Sequence, residues 1–215
     1  NLLLKSCPGE IFLTNSPPTI SAGLDYTIPK GTAFVLRGVG SDVDGDAVTY
    51  CWEQNDSATG ASGENSVASP TKTNGPNFRS IKPSSSSIRY MPAYESVLAD
   101  RLSTVWESVS TIGRTLNFTL TARDNSTLGT GQTNTDAMVV TVSGTAGPFA
   151  VSSQNVENSS WVQGTNQTIS WTVNNTNTLV GSSNVNIKLS TDGGLTFPIF
   201  LATNTDRKST RLNYS

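Results

Sequence analysis

Two stretches with a period of two residues constrain the fold of this chain most. They lie at residues 114–124 and 135–143, on either side of a polar segment rich in Asn, Thr and Gly. A period of two residues is typical of β-strands that place one face against a core. The core positions predicted from this period are Leu116, Phe118, Leu120 and Ala122 in the first stretch and Met138, Val140 and Val142 in the second. The pair predicts two adjacent strands joined by a hairpin.

The composition favours the same class of structure. Only 14% of the 215 residues are charged, and the chain contains 18 Gly and 10 Pro. Strands and turns are favoured by such a composition, and long helices are not. Residues 41–54 begin as an acidic turn and continue as a strand that carries Trp52, as expected where a strand enters a sandwich core. The other strand candidates before residue 100 are residues 19–22, 25–28, 32–38 and 88–92. We therefore predict an all-β fold.

The domain boundaries are predicted from segments rich in glycine and proline, which interrupt strands. Gly144-Thr-Ala-Gly-Pro148 is the clearest boundary. Residues 1–17 are predicted to be a linker, and residues 18–145 an immunoglobulin-like β-sandwich. Residues 148–205, with strand candidates at 149–152, 160–162, 168–173, 184–190 and 197–202, fall well short of the ~100 residues typical of such a sandwich, so we predict a truncated second sandwich. Residues 206–215 match no strand pattern and resemble the translation of a sequencing-adapter oligonucleotide.

Two features interrupt the first sandwich. Residues 55–86 are rich in Ser, Asn, Gly, Pro and Thr, which indicates a mobile insertion. The alternative is an insertion that has a function. Residues 94–102 show helical spacing of apolar residues and predict one short helix. After it, Trp106, Val109 and Ile112 are expected to continue the buried line.

The chain contains no histidine. That absence removes Ser-His-Asp, Cys-His and H-E-x-x-H sites, because each needs an imidazole as base or ligand. A formal net charge of −2 offers no basic surface for nucleic acid. No apolar run approaches the ~18 residues of a membrane span. We predict a chain that is not an enzyme and has neither a nucleic-acid partner nor a membrane span.

One candidate metal site is a calcium site in the acidic turn. Asp42, Asp44 and Asp46 alternate around Gly45, and Asp124 from the later hairpin is a distant candidate partner. Calcium prefers such oxygen ligands. The alternative is a solvated turn in which aspartates cap their own backbone.

The two cysteines, Cys7 and Cys51, allow one disulfide or two free thiols. A disulfide would tie the leading segment to the first sandwich in an oxidising compartment.

A second turn motif follows the pattern S-x-D-x-G-x-T-aromatic. Ser190-Thr-Asp-Gly-Gly-Leu-Thr-Phe197 resembles the Asp-box hairpin of sialidases, where the box is a structural turn and not a catalytic one. A single copy predicts a stable hairpin and no propeller.

The four tryptophans bear on a different class of function. Trp52 and Trp171 lie in strand patterns and are predicted to be core residues. Trp106 and Trp161 would form a carbohydrate platform if they were exposed.

Several strings together resemble a known protein family. In sequence order they are Thr27-Ile-Pro-Lys-Gly31, Ser41 to Gln54, Arg89-Tyr-Met-Pro92, Trp106 to Phe118 and Asp136-Ala-Met-Val-Val-Thr-Val142. They resemble the segment that follows the catalytic domain in secreted reprolysin-type zinc metalloproteases of Bacteroidota, and residues 184–198 resemble the next β-domain of those proteins. The acidic turn alone is similar to cadherin-like and polycystic-kidney-disease-type modules.

This resemblance implies a location and a neighbour. It implies a secreted or cell-surface accessory region that positions or stabilises an upstream protease domain of the same chain. Zinc would belong only to that catalytic domain, since without histidine no catalytic residue can be carried over to this chain. The region would need no cofactor, or only calcium, and a protein or glycan surface is a further expected partner. The alternatives are an adhesive or carbohydrate-binding module and a calcium-rigidified spacer.

Overall fold

The computed structural model describes residues 13–127, 130–156, 159–162, 164–207 and 211–214. Nearly all regular structure in these residues is β, which confirms the predicted all-β class. The strands before Gly144 are β1 (Thr19–Ser21), β2 (Tyr26–Pro29), β3 (Phe34–Arg37), β4 (Val39–Ser41), β5 (Thr49–Gln54), β6 (Ile88–Met91), β7 (Arg114–Arg123) and β8 (Thr133–Ser143). A 3-10 helix at Gly63–Ser66 follows β5, and one α-helix, α1 (Tyr94–Leu98), follows β6.

These strands form two layers, which we call the first unit. One layer is a four-stranded sheet in the order β2-β8-β7-β5. Its centre is the predicted hairpin, with β7 and β8 antiparallel from Arg114 opposite Val142 to Arg123 opposite Thr133. At its edge β2 runs parallel to β8. The facing layer consists of the pairs β1–β4 and β3–β6.

The core lies between the layers, where the alternation predicted it. Every core position predicted in β7 and β8 is buried. From the facing layer, Leu36 of β3 and Met91 of β6 are fully buried. The ring of Phe34 lies edge-on to the rings of Phe78 and Phe118, at centroid distances of 5.6 and 6.0 Å. Apolar burial of this kind supplies most of the stability of a sandwich.

The second unit follows Pro148. Its strands are β9 (Ala150–Val151), β10 (Gln167–Thr172), β11 (Asn184–Leu189), β12 (Ile199–Asp206) and β13 (Arg211–Tyr214). They form a sheet in the order β13-β10-β9 and a separate antiparallel hairpin, β11–β12. Ile169 and Trp171 of β10 are buried as predicted, whereas Ile199 and Phe200 of the hairpin are exposed.

The structure differs from the predicted elements at residues 99–102, 160–162 and 211–214. The helix ends at Leu98 and not at residue 102, because Asp100 adopts a left-handed conformation (φ 52°) that ends a right-handed helix. Residues 160–162 form no strand. Residues 211–214, for which no strand was predicted, pair with β10, whose edge offers unpaired backbone groups.

The segment 55–86 is attached to the sandwich at a few buried residues, and its mobility stays a prediction. Phe78 is 2% exposed and belongs to the core. The side-chain oxygen of Gln54 accepts the backbone N–H groups of Asn77 and Phe78 at 2.7 and 3.1 Å. On the other side, the Arg114 guanidinium donates to two backbone carbonyls of the segment at 2.9 and 2.8 Å. These contacts attach the segment to the sandwich at Gln54 and at Arg114.

Candidate functional site

A tight turn after α1 presents Trp106 to solvent. The Thr104 N–H donates to the Glu107 carbonyl at 2.7 Å, and the Thr104 hydroxyl accepts the N–H groups of Trp106 and Glu107. The Trp106 carbonyl accepts the N–H of Arg79 at 3.2 Å, which fastens the turn to the segment 55–86. Trp106 is 61% exposed, so the prediction that it continues the buried line is wrong. The conformation of the turn, and not the local pattern of apolar residues, determines that the Trp106 side chain is exposed.

A buried ion pair holds this turn against β6. The Arg89 guanidinium lies 2.9 Å from Glu107 Oε1, with side chains only 5% and 13% exposed. The other carboxylate oxygen of Glu107 accepts the Ala93 N–H at 2.9 Å. Arg89 also donates to the carbonyls of Trp52 and Arg79, both at 2.6 Å. Each charge therefore has close partners, as a buried ion pair requires.

The outward face of β6 and the start of α1 complete a groove of about 520 Å³ beside Trp106. The rings of Tyr90 and Tyr94 pack with their centroids 4.6 Å apart. The Arg79 guanidinium lies 5.2 Å from the centre of the Trp106 ring, a cation–π contact. We call this surface the aromatic groove; its outward-facing residues are Arg79, Ile81, Ile88, Tyr90, Tyr94, Glu95 and Trp106.

The other tryptophans divide as the sequence predicted. Trp52 is 2% exposed and donates from its ring nitrogen to the Ser87 carbonyl at 2.9 Å. Trp171 is 4% exposed and donates to the Arg207 carbonyl at 3.1 Å. Both are core residues, which confirms the prediction. Trp161, in the second unit, is 37% exposed.

The acidic turn at 42–46 caps its own backbone. Asp42 Oδ1 accepts the N–H groups of Asp44 and Asp46 at 2.9 and 3.2 Å, while its Oδ2 has no hydrogen-bond partner among the described residues. Asp44 accepts the Ser16 N–H at 2.6 Å. These contacts match the alternative interpretation as a structural turn.

Asp124 is fully buried and has its own partners. Its carboxylate accepts the Asn15 side-chain amide at 2.6 Å and the N–H groups of Gln132 and Ser126 at 2.9 and 3.2 Å. Burial works to raise the pKa of this carboxyl, but the hydrogen bonds from Asn15, Gln132 and Ser126 outweigh it and lower the pKa. Asp124 thus joins the end of the predicted linker to the β7–β8 hairpin.

Over the residues that the structure describes, no three His, Cys, Asp or Glu side chains form a group that could hold a metal ion. The calcium site at Asp42, Asp44, Asp46 and Asp124 stays a prediction. Because the chain has no histidine, it lacks the imidazole ligands of an H-E-x-x-H zinc site.

The structure describes one of the two cysteines, Cys51. Cys51 is 7% exposed, and its thiol donates to the Ile81 carbonyl at 3.4 Å. Burial and the nearby Glu53 carboxylate raise the pKa of this thiol. Cys7 lies outside the described residues, so the disulfide stays a prediction.

The turn at 190–197 joins β11 to β12, which confirms the predicted hairpin. The Ser190 hydroxyl donates to Asp192 at 2.7 Å, and Thr196 donates to the same carboxylate from its hydroxyl at 2.6 Å and its N–H at 2.9 Å. These bonds, those from Thr196 first, lower the pKa of Asp192 from 3.8 to about 2.

This shift predicts an acid-sensitive hairpin. Because the pKa of Asp192 is lower in the folded state, its contribution to stability is present above about pH 4 and is lost as the pH falls toward 2. We expect Thr196→Val to move the NMR titration midpoint of Asp192 upward toward the ordinary value. The control is Thr191→Val, at an exposed position of the same turn. A midpoint that stays near 2 in Thr196→Val would show that Thr196 does not stabilise the carboxylate.

Hydrogen bonds from both units hold the connection at residues 144–148. On the first unit, the Lys30 N–H donates to the Ala146 carbonyl at 2.9 Å, and Ala146 is fully buried. From the second unit, the Asn174 carbonyl accepts the Gly147 N–H at 2.7 Å, and the Asn174 amide donates to the Pro148 carbonyl at 2.6 Å. A second contact is made by the Tyr94 hydroxyl, which donates to the Gly194 carbonyl.

Comparison with known proteins adds little to this geometry. No family model matches the chain, and no curated protein matches it. Among solved structures, a nucleoside hydrolase-related hypothetical protein from Saccharophagus degradans, described as associated with carbohydrate metabolism, is similar at 18% identity with a TM-score of 0.36. The match covers 60% of this chain and 26% of that one. At that level of similarity it carries no argument about fold or function.

None of the helices in the described ranges is both long and apolar enough to cross a membrane.

Proposed function

We propose that this chain is a non-catalytic accessory region that holds its neighbours at a fixed distance and orientation within a secreted or cell-surface protein. The observation that carries the proposal is the connection at 144–148, whose backbone is bonded to both units. A flexible linker would leave these polar groups to water and let the units rotate independently.

Gly147 is the residue that permits this close connection. It adopts a positive φ of 101°, and a Cβ atom there would lie 2.7 Å from the Lys30 carbonyl oxygen and would also overlap Pro29. Only glycine meets both requirements without strain. The connection is therefore packed closely against the first unit at Ala146 and Gly147.

The neighbour that we propose is an upstream protease domain of the resembling metalloprotease type. Its support is the resemblance of the strings between Thr27 and Pro198 to the region that follows the catalytic domain in those proteases. The purified chain is accordingly expected not to cleave casein or gelatin with or without added zinc. Metal-dependent cleavage by the chain alone would contradict the proposal.

We expect Gly147→Ala to release the connection between the units. Strain at positive φ and overlap with Lys30 and Pro29 should expose residues 144–148, and limited proteolysis there should accelerate at least tenfold. X-ray scattering should also show a larger maximum dimension.

The matched control is Gly181→Ala. Gly181 has a similar positive φ of 71° but open space around its missing Cβ. It should therefore show the backbone strain without the overlap and leave proteolysis at 144–148 unchanged. If wild type and Gly147→Ala are cleaved there at the same rate, the connection does not hold the units.

A further inference from the structure

The aromatic groove exposes apolar surface that the fold has no need to expose. Trp106 and Val105, at the tip of the turn, are both 61% exposed, and Ile81, Ile88 and Tyr90 beside them are 46%, 39% and 39% exposed. Single exposed apolar residues are ordinary, but a contiguous group of them marks a binding surface. Such a group costs hydration free energy unless a ligand covers it.

The groove is rigid before any ligand arrives. Backbone bonds to Arg79 and Thr104 fix the turn that carries Trp106, and the Arg89–Glu107 pair fixes the turn against β6. The contact between Tyr90 and Tyr94 fixes the opposite wall. A ligand therefore loses little affinity to the ordering of side chains.

The charges around the groove balance. Two guanidinium groups, Arg79 and Arg89, stand against two carboxylates, Glu95 and Glu107. Arg89 and Glu107 neutralise each other beneath the surface, which leaves Arg79 and Glu95 to offer hydrogen-bond donors and acceptors to a ligand. A surface with no net charge favours neither a polyanion nor a polycation.

A second depression adjoins the aromatic groove. This hollow of about 250 Å³ shares Arg79 and Trp106 with the groove and is also lined by Val67, Phe78 and Val105. A ligand that extends past Trp106 would fill both hollows. This arrangement fits a chain of several similar rings better than a single compact molecule.

We infer that the aromatic groove binds a neutral polysaccharide. A pyranose ring has an apolar C–H face that packs on an exposed indole and a rim of hydroxyl groups that both donate and accept hydrogen bonds. The indole of Trp106 supplies the first surface, and the side chains of Arg79 and Glu95 supply the second. A proline-rich peptide would also pack on the aromatic rings, but its prolines have no backbone N–H to donate to the Glu95 carboxylate.

The test is affinity gel electrophoresis of the full chain through a panel of soluble neutral polysaccharides: a β-1,3-glucan, a xyloglucan and a galactomannan. We expect at least one to slow the wild-type protein in a concentration-dependent way. Trp106→Ala should weaken that affinity at least tenfold, because it removes the stacking surface. Trp161→Ala, which removes another exposed tryptophan, should leave the affinity within twofold.

A second variant distinguishes a loss of binding from a folding defect. Arg79→Gln keeps every backbone contact of the turn and should weaken binding about threefold to tenfold, since only the guanidinium contact is lost. Thermal unfolding of both variants should match the wild type within a few degrees. The inference is overturned if none of the three polysaccharides slows the protein, or if retardation occurs only with heparin or alginate. It is also overturned if Trp106→Ala and Trp161→Ala reduce binding equally, or if a proline-rich peptide binds at Trp106 while the polysaccharides do not.

Discussion

Replacing Arg89 with methionine is expected to lower the free energy of unfolding of the first unit by about 3–5 kcal/mol. The Glu107 carboxylate, 13% exposed, would lose the cation that compensates its charge. The carbonyls of Trp52 and Arg79 would lose their donors at the same time. Urea unfolding followed by tryptophan fluorescence measures the loss. The control is Arg37→Met on the neighbouring strand, where the side chain is exposed and the change should stay within about 0.5 kcal/mol.

The double variant Arg89→Met, Glu107→Leu separates charge from packing. With both charges removed, no ion is left buried without a partner, and part of the lost stability should return. If Arg89→Met alone costs less than about 1 kcal/mol, the pair does not hold the turn against β6. The groove would then need another source of rigidity.

Phe118→Ala is expected to destabilise the first unit by about 3–5 kcal/mol, the range for truncating a buried phenylalanine. Phe118 is 1% exposed, and its ring lies 6.0 Å from that of Phe34 and 6.3 Å from that of Phe78. The variant leaves a cavity between the two layers. Calorimetry or urea unfolding measures the change.

The matched control is Phe200→Ala, at a 53% exposed position of β12. The same chemical change there should cost less than about 1 kcal/mol, because little apolar area is buried. Equal losses at both positions would show that Phe118 does not anchor the core.

These two predictions both bear on the aromatic groove. Phe78 belongs to the Phe118 cluster and immediately precedes Arg79, whose backbone holds the Trp106 turn. The Arg89–Glu107 pair holds that turn from the other side. The packed segment 55–86 is thus the link between the core and the aromatic groove. Phe78 and Arg79 of this polar segment contribute to the core and to the groove, respectively.

Local pattern alone determined the β7–β8 hairpin and its buried face. A period of two places Leu116, Phe118 and Leu120 on one side of β7 whatever the strand later packs against. Glycine and proline mark the connection at 144–148, and the side chains of the turn at 190–197 bond to their own backbone. These features are short-range, so the order of residues is sufficient to specify them.

Only the tertiary structure decided which distant segments meet. Asp124 pairs with Asn15 from the other end of the first unit, and Arg89 pairs with Glu107 across α1. The exposure of Trp106 depends on the turn and on the loop that fastens it, although its local pattern favoured burial. Hydrophobic periodicity encodes which face of an element is apolar, but contacts between elements depend on how the whole chain packs. The core could therefore be predicted from the sequence, and the aromatic groove could not.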